Sequence, residues 1–185
     1  MIMSEQIKQV ADRIRYLRET LDMTPEQVAS AINMETEEYN RYESGEKDIP
    51  VSMIYSVASA LGIDATELLT GESPRMNDYS VTRKGHGVGV ERFKGYAFES
   101  LAYNYIGRNK EPMIVTISPE EKHPKLVTHS GQEFNYVLEG KIGVIIGEKV
   151  IELSEGDCIY FNPMIPHGQI AIDSTSRFLT VIDKE

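Results

Sequence analysis

One cysteine, Cys158, leaves no partner for an intrachain disulfide and no thiolate set for a zinc site. No apolar run approaches the roughly 18 residues needed to cross a bilayer, so no membrane partner is expected. The opening stretch, MIMSEQIKQVADRIR, turns charged and amphipathic at once and lacks the apolar centre of a signal peptide. A cytoplasmic location is the resulting expectation. Positive charge is scarce too: 19 Lys and Arg stand against 29 Asp and Glu, for a net charge of −10. That balance argues against non-specific attraction to nucleic acid or anionic lipid. The deficit is uneven. Residues 1–70 hold six basic and thirteen acidic side chains (−7), and residues 71–185 hold thirteen and sixteen (−3). What the chain does have is apolar content, 41% of its 185 residues, enough for one generous core or two small ones.

The apolar residues follow two different periods. Ile7, Val10, Ile14, Leu17 and Leu21 recur every three or four positions, which predicts an amphipathic helix from about Ser4 to Leu21. TPEQVASAI opens a second helix, with Thr24 as N-cap, Pro25 at the first helical position and Gln27 completing a capping box. ETEEYNRYE makes a third, stopped at Ser44-Gly45. PVSMIYSVASALG makes a fourth, ending on Gly62, and DATELLTG a short fifth. GESPRMND then reads as a turn-rich linker. Beyond it come short alternating or β-branched runs such as MIVTI, EFNYVLE, KIGVIIG, CIYF and RFLTVI, each punctuated by Gly, Pro, Asp or Ser, as in a β-sandwich or barrel. The predicted fold class is therefore mixed: an all-α domain over 1–71, a linker with leading strands over 72–110, and an all-β domain over 111–185. RKGHGVGVE carries glycines but opens no helix, so it is not a nucleotide loop, and His86 within it reads as a loop residue.

Helices two and three, joined by a short turn, have the helix-turn-helix layout. Ala29 stands where the second must approach the third, and YNRYESG resembles the end of a recognition helix in the lambda-repressor-like (XRE) family. The resemblance spans about residues 7–70 and all five helices. It implies a double-stranded DNA operator as partner, with Thr36, Glu37, Asn40 and Arg41 facing the bases and Thr24, Lys47 and Ser52 near phosphates. Arg suits guanine, Asn suits adenine, and Glu accepts from a cytosine amine. Glu43 is expected to pair internally with Arg13 or Arg15. The acidic cluster Glu35, Glu37 and Glu38 favours the helix dipole but repels phosphate. Arg75, Arg83, Lys84, Arg92 and Lys94 are candidates to offset it. A helix-turn-helix used for protein docking is the alternative.

Two motifs mark the β half. His129-Ser-Gly-Gln-Glu133 is followed by six residues and then Gly140, and GDCIYFNPMIPH runs from Gly156 to His167. Together they resemble a cupin, a small double-sheet jelly-roll barrel. In that family the motifs supply three histidines and a glutamate to a metal. Carried across, the ligands are His129, Glu133 and His167, while the fourth position falls on Val127, an alkyl side chain. Asn162 and Ala171 also depart from the second motif. Two imidazoles and a carboxylate still form a facial set for a divalent ion such as Fe, Mn, Ni or Zn. Equally, the three form a metal-free polar cluster at the floor of a ligand pocket, and His123 is a possible substitute ligand. Tyr103, Tyr105, Tyr136, Phe161 and Met164 are candidate pocket walls, with Gln132 and Asn135 as polar contacts.

A helix-turn-helix joined to a cupin resembles XRE-type transcriptional regulators with a sensor barrel. The runs GQEF-YVLEG and IPHG-IA resemble those of bacterial regulators often found beside acyl-activating genes, and that resemblance implies a fatty acid or other carboxylate as effector. Such a protein is expected to be a homodimer, because one helix-turn-helix reads only a half-site. The cupin strands, including the segment from Tyr79 to Tyr103, are the expected interface. A cupin metalloenzyme of oxygenase or isomerase type, with a regulatory helical appendage, is the competing class.

Overall fold

The computed structural model describes residues 5–93, 95–119, 124 and 126–183, and the chain divides into two compact units. One holds Met1–Ser80, Val90–Phe93 and Tyr103–Gly107. The other holds Val81–Gly89, Lys94–Ala102 and Arg108–Glu185. The stretch 72–110 thus contributes to both.

The first unit contains α1 (Glu5–Thr20), α2 (Pro25–Ala31), α3 (Thr36–Glu43), α4 (Val51–Leu61) and α5 (Ala65–Thr70). Local chemistry sets the boundaries. Thr24 Oγ1 accepts from the Gln27 N–H at 3.3 Å while the Gln27 side chain accepts from the Thr24 N–H at 2.7 Å, a complete capping box. Asp64 caps α5 through the Thr66 N–H, and Gly62 ends α4 at φ 68°, a left-handed conformation costly for other residues. No helix among the described residues is long and apolar enough to cross a membrane.

On α1 the buried stripe Ile7, Val10, Ile14 continues, four residues on, to Arg18. Its guanidinium therefore enters the interior. Nε donates to Glu43 Oε2 at 2.8 Å and Nη2 to Oε1 at 2.6 Å, a fork-to-fork pair joining α1 to the end of α3. This corrects the expected Arg13 or Arg15 partner. Arg15 lies out of phase with the stripe and reaches Asp12 at 3.0 Å, while Arg13 donates to the Leu68 and Leu69 carbonyls, each at 2.9 Å, at the end of α5. Burial pushes the Glu43 carboxyl up, but the hydrogen bonds and charge of Arg18 outweigh it and hold the group below its ordinary range.

The strands are β1 (Val88–Phe93), β2 (Tyr96–Ser100), β3 (Lys110–Ile117), β4 (Gln132–Glu139), β5 (Lys141–Ile146), β6 (Lys149–Ser154), β7 (Cys158–Phe161), β8 (His167–Ala171) and β9 (Ser176–Asp183). In the second unit β2, β3, β9, β4 and β7 lie side by side in one sheet, and β6, β5 and β8 form another. All these neighbours are antiparallel, giving the double-sheet form of a jelly roll. Strict alternation buries Met113, Val115, Val137 and Phe178 on one face of the larger sheet, and Ile142 and Val144 are buried on β5. Gly140 (φ 79°) makes the β4–β5 turn, where an added Cβ would stand 2.5 Å from Ser176 Oγ.

Breaking the buried pair on one side, by Arg18→Met or Glu43→Gln, is expected to cost about 3–5 kcal/mol, because the remaining charge loses its partner. Arg18→Met/Glu43→Leu together should recover most of that. The depressed Glu43 pKa means the pair stabilises fully above the unfolded carboxylate value of about 4.3, and the contribution fades as pH falls through the lower folded value. Urea denaturation of the variants across that acid range measures both effects.

Candidate functional site

Period-two geometry assembles a buried polar cluster on the inner face of the β domain. Glu133 and Asn135 lie two residues apart on β4, so they share a face, as do His167 and Gln169 on β8. Thr180 on β9 stands opposite Asn135, and His129 arrives from the loop before β4. Glu133 is the hub. Its Oε2 lies 3.1 Å from His129 Nε2 and 3.3 Å from His167 Nε2. Its Oε1 accepts from Asn135 Nδ2 at 3.1 Å, Gln169 Nε2 at 3.1 Å and Thr180 Oγ1 at 3.5 Å. Burial pushes this carboxyl up, yet hydrogen bonds from the two histidines, and then their charge, hold it at about 2.

The outer nitrogens set the tautomers. His129 Nδ1 faces the Ser130 carbonyl at 2.9 Å and His167 Nδ1 faces the Ile165 carbonyl at 3.0 Å. A carbonyl only accepts, so each Nδ1 carries its proton and donates. In a neutral ring that leaves an Nε2 lone pair aimed at a carboxylate oxygen. Such a contact is satisfied by a proton on Nε2 or by a cation shared among the three groups.

The donor set fits a divalent cation. The ligand atoms of His129, Glu133 and His167 all lie within 4.8 Å of one another. Donors about 2.1 Å from an ion at right angles stand about 3 Å apart, close to the two distances around Oε2. The Nδ1–carbonyl bonds and the donors on Oε1 are the supporting contacts typical of metal ligands. Val127 makes an antiparallel bridge with His167 through N–H to carbonyl contacts of 2.9 and 3.0 Å. Directly opposed residues project to the same side. Its isopropyl group therefore takes the place beside His167 where a fourth donor would stand.

Of the other sequence-predicted residues, Phe161 sits opposite Glu133 and its ring lies 5.1 Å from that of His167. Gln132 and Tyr136 are exposed on the opposite face of β4 from Glu133, and Gln132 accepts from the Tyr160 hydroxyl. Met164 is exposed in the turn before β8, where Asn162 Oδ1 accepts its N–H at 3.0 Å. Tyr103 and Tyr105 group with the helices, His86 is exposed in a loop, and His123 lies outside the described residues. Sequence reasoning missed Gln169 and Thr180. The first was available as the residue two beyond His167; the second depends on the β4–β9 register.

On α3, Glu37, Asn40 and Arg41 fall on one side by helical spacing, away from the buried Tyr39 and Tyr42, and Thr36 lies at the edge of that side in line with Glu43. Glu37, Asn40 and Arg41 are exposed and Thr36 half-buried. Thr24 is committed to its capping box, and Ser52 is half-buried in the first turn of α4. Lys47 is engaged by Glu38 and lies 4.6 Å from the centre of the Tyr42 ring. Arg75 pairs with Glu72 at 3.4 Å, Arg83 and Lys84 are exposed, and Lys94 and the Arg92 side chain lie outside the description.

Removing a ligand by His129→Ala or Glu133→Gln is expected to abolish binding of Fe(II), Mn(II), Ni(II) or Zn(II). Gln169→Leu should weaken it by about tenfold or more through the supporting hydrogen bond, and Val127→His should strengthen it. Calorimetric metal titration of the metal-stripped chain checks all three.

Residues 14–68 match the family model described as Helix-turn-helix, and residues 113–182 match that of the Cupin domain. No curated protein matches the chain. Among solved structures it is similar to an HTH_3-family transcriptional regulator from Vibrio cholerae, with 18% identity, a TM-score of 0.66 and 97% of both chains covered. It is also similar to iron(II) HppE, with 20% identity, a TM-score of 0.51, and 96% and 99% of the two chains covered. Hydroxypropylphosphonic acid epoxidase from S. wedmorenis gives 18%, 0.50, and 97% and 100%. At such identities the likeness is one of fold. The family matches go further: residues 14–68 form a helix-turn-helix region of the XRE-like kind and residues 113–182 a cupin domain, in that order.

Proposed function

We propose that the chain is a transcriptional regulator that binds a double-stranded DNA operator as a homodimer and takes a small-molecule effector in its cupin domain. The observation that carries this reading is the polar face of α3. Asn40 and Arg41 stand exposed on a helix held from behind by the buried Arg18–Glu43 pair. Arg41 makes no ion pair among the described residues and suits guanine, Asn40 suits adenine, and Glu37 suits a cytosine amine. Because the helical half carries −7, its affinity depends on base contacts and on doubling them in a dimer.

The effector reading rests on the cluster around Glu133. When bound, a divalent cation held by His129, Glu133 and His167 supplies a Lewis-acid centre that draws a carboxylate. Thr180, Asn135 and Gln169 fix the Glu133 carboxylate in place, and Phe161 keeps the His167 ring oriented. Met113, Val115, Val137 and Phe178 are buried on the same face of the sheet as this cluster. Occupancy would shift the population between two arrangements of the DNA-reading domains.

A second reading is a cupin metalloenzyme of oxygenase or isomerase type with a regulatory helix-turn-helix. The facial spacing of the three donors, on a fold shared with iron(II) HppE, favours it. In an enzyme, His129→Ala and Glu133→Gln abolish turnover. In a regulator they change only effector-dependent DNA affinity.

Selection of duplexes from a random pool at low salt, followed by anisotropy titration, tests the regulator. The intact chain is expected to enrich a two-part site with half-sites about one helical turn apart. Arg41→Ala should cost about 1–3 kcal/mol and relax preference at one base pair per half-site. No enrichment even at low salt would leave the helices as a protein-docking module.

A further inference from the structure

In an antiparallel sheet with one buried face, the other face is ordinarily polar. The larger sheet of the β domain breaks that rule over two adjacent rows. Ile114, Leu179, Tyr136 and Cys158 lie opposite one another across β3, β9, β4 and β7, all pointing away from the buried side. The next row carries Val181, Phe134 and Tyr160 in register. Tyr160 is 63% exposed, and Tyr136 and Leu138 about two-fifths. Across these four strands no charged side chain falls within the rows, although a quarter of the chain is charged; Glu99 stands opposite Ile114 on the neighbouring β2, where it accepts from the Gly87 N–H at 2.9 Å.

The flanking rows carry the charge in compensated pairs. Lys110 Nζ lies 2.6 Å from Asp183 on one side, and Arg177 Nη1 lies 4.0 Å from Glu139 on the other. An apolar centre with a self-neutralised rim is the anatomy of an interface. The charge pattern also selects the occupant. Two chains of −10 repel over most of their surfaces, while the carboxylates bordering these four strands, Asp183 and Glu139, are already paired and offer little to a basic partner. A patch that is neutral at its centre and paired at its edge suits an identical patch related by a twofold axis.

We propose that the outer face of β3, β9, β4 and β7 is where a second copy of this chain docks. This narrows the expected cupin-strand interface to one face of four strands and leaves out the Tyr79–Tyr103 segment. The inference borrows from the regulator reading only the expectation that two copies act together, and its test involves no DNA.

Cys158 is the sole thiol and lies in the central row, so its alkylation rate reports on coverage of this face. The experiment is sedimentation velocity of the intact reduced chain from nanomolar to tens of micromolar, paired with maleimide labelling over the same range. The expected result is a monomer-to-dimer transition with labelling slowed about tenfold as dimer forms. Tyr160→Glu and, independently, Tyr136→Glu should give a monomer at every concentration, with an unchanged circular dichroism spectrum. A wild-type monomer throughout overturns the proposal. So does a dimer whose Cys158 labels at the monomer rate, or one that survives both substitutions.

Discussion

The β domain is organised around one carboxylate that stays charged while almost fully buried. An ionised carboxylate removed from water is tolerated only with partners. Glu133 draws them from β8, β9, its own strand and the preceding loop. The labour is divided by atom: one oxygen faces the two imidazoles, and the other takes the amide and hydroxyl donors. Because the imidazoles are themselves fixed through Nδ1 to backbone carbonyls, the cluster has little freedom to reorganise. It is also register-dependent. A one-residue slip of β8 would turn both His167 and Gln169 away from it.

In the helical domain the Arg18–Glu43 pair plays a comparable part with different consequences. Desolvating two charges costs much of what their attraction returns, so its main effect is to make one packing of α3 against α1 preferable to others. The acidic character of that domain then has a functional logic. A reader with little general attraction for phosphate loses affinity for arbitrary DNA along with affinity for its operator. What remains is governed by base contacts, and the ratio of specific to non-specific binding is the quantity a regulator needs.

The parts of this architecture legible in the sequence are those with local causes. The capping box at Thr24, the glycine stop at Gly62 and the three-and-four spacing on α1 each act within a few residues, and each element stands where those signals put it. The convergence of His129, Glu133 and His167 was also legible, through motif resemblance. The partner of Glu43 was not, because it depends on which α1 positions face inward; Arg18 is in phase with Ile14, and Arg15 is not. The faces of β4 were legible in principle. Once Glu133 points inward, Gln132, Phe134 and Tyr136 must point out. Thr180 could not be found, since its place near Glu133 follows from the pairing of β9 with β4, some 45 residues distant in sequence.

β4 carries both surfaces to which function has been assigned. Glu133 and Asn135 face the interior, and Phe134 and Tyr136, their immediate chain neighbours, face outward. Adjacent residues share a rigid planar peptide. A tilt of the strand imposed from the cluster therefore tilts the outer rows with it, in the opposite sense, without any relay of side chains. On the proposed function a single ribbon of backbone is then both the floor of the effector site and the seat of the second copy, and communication between them spans the thickness of one strand.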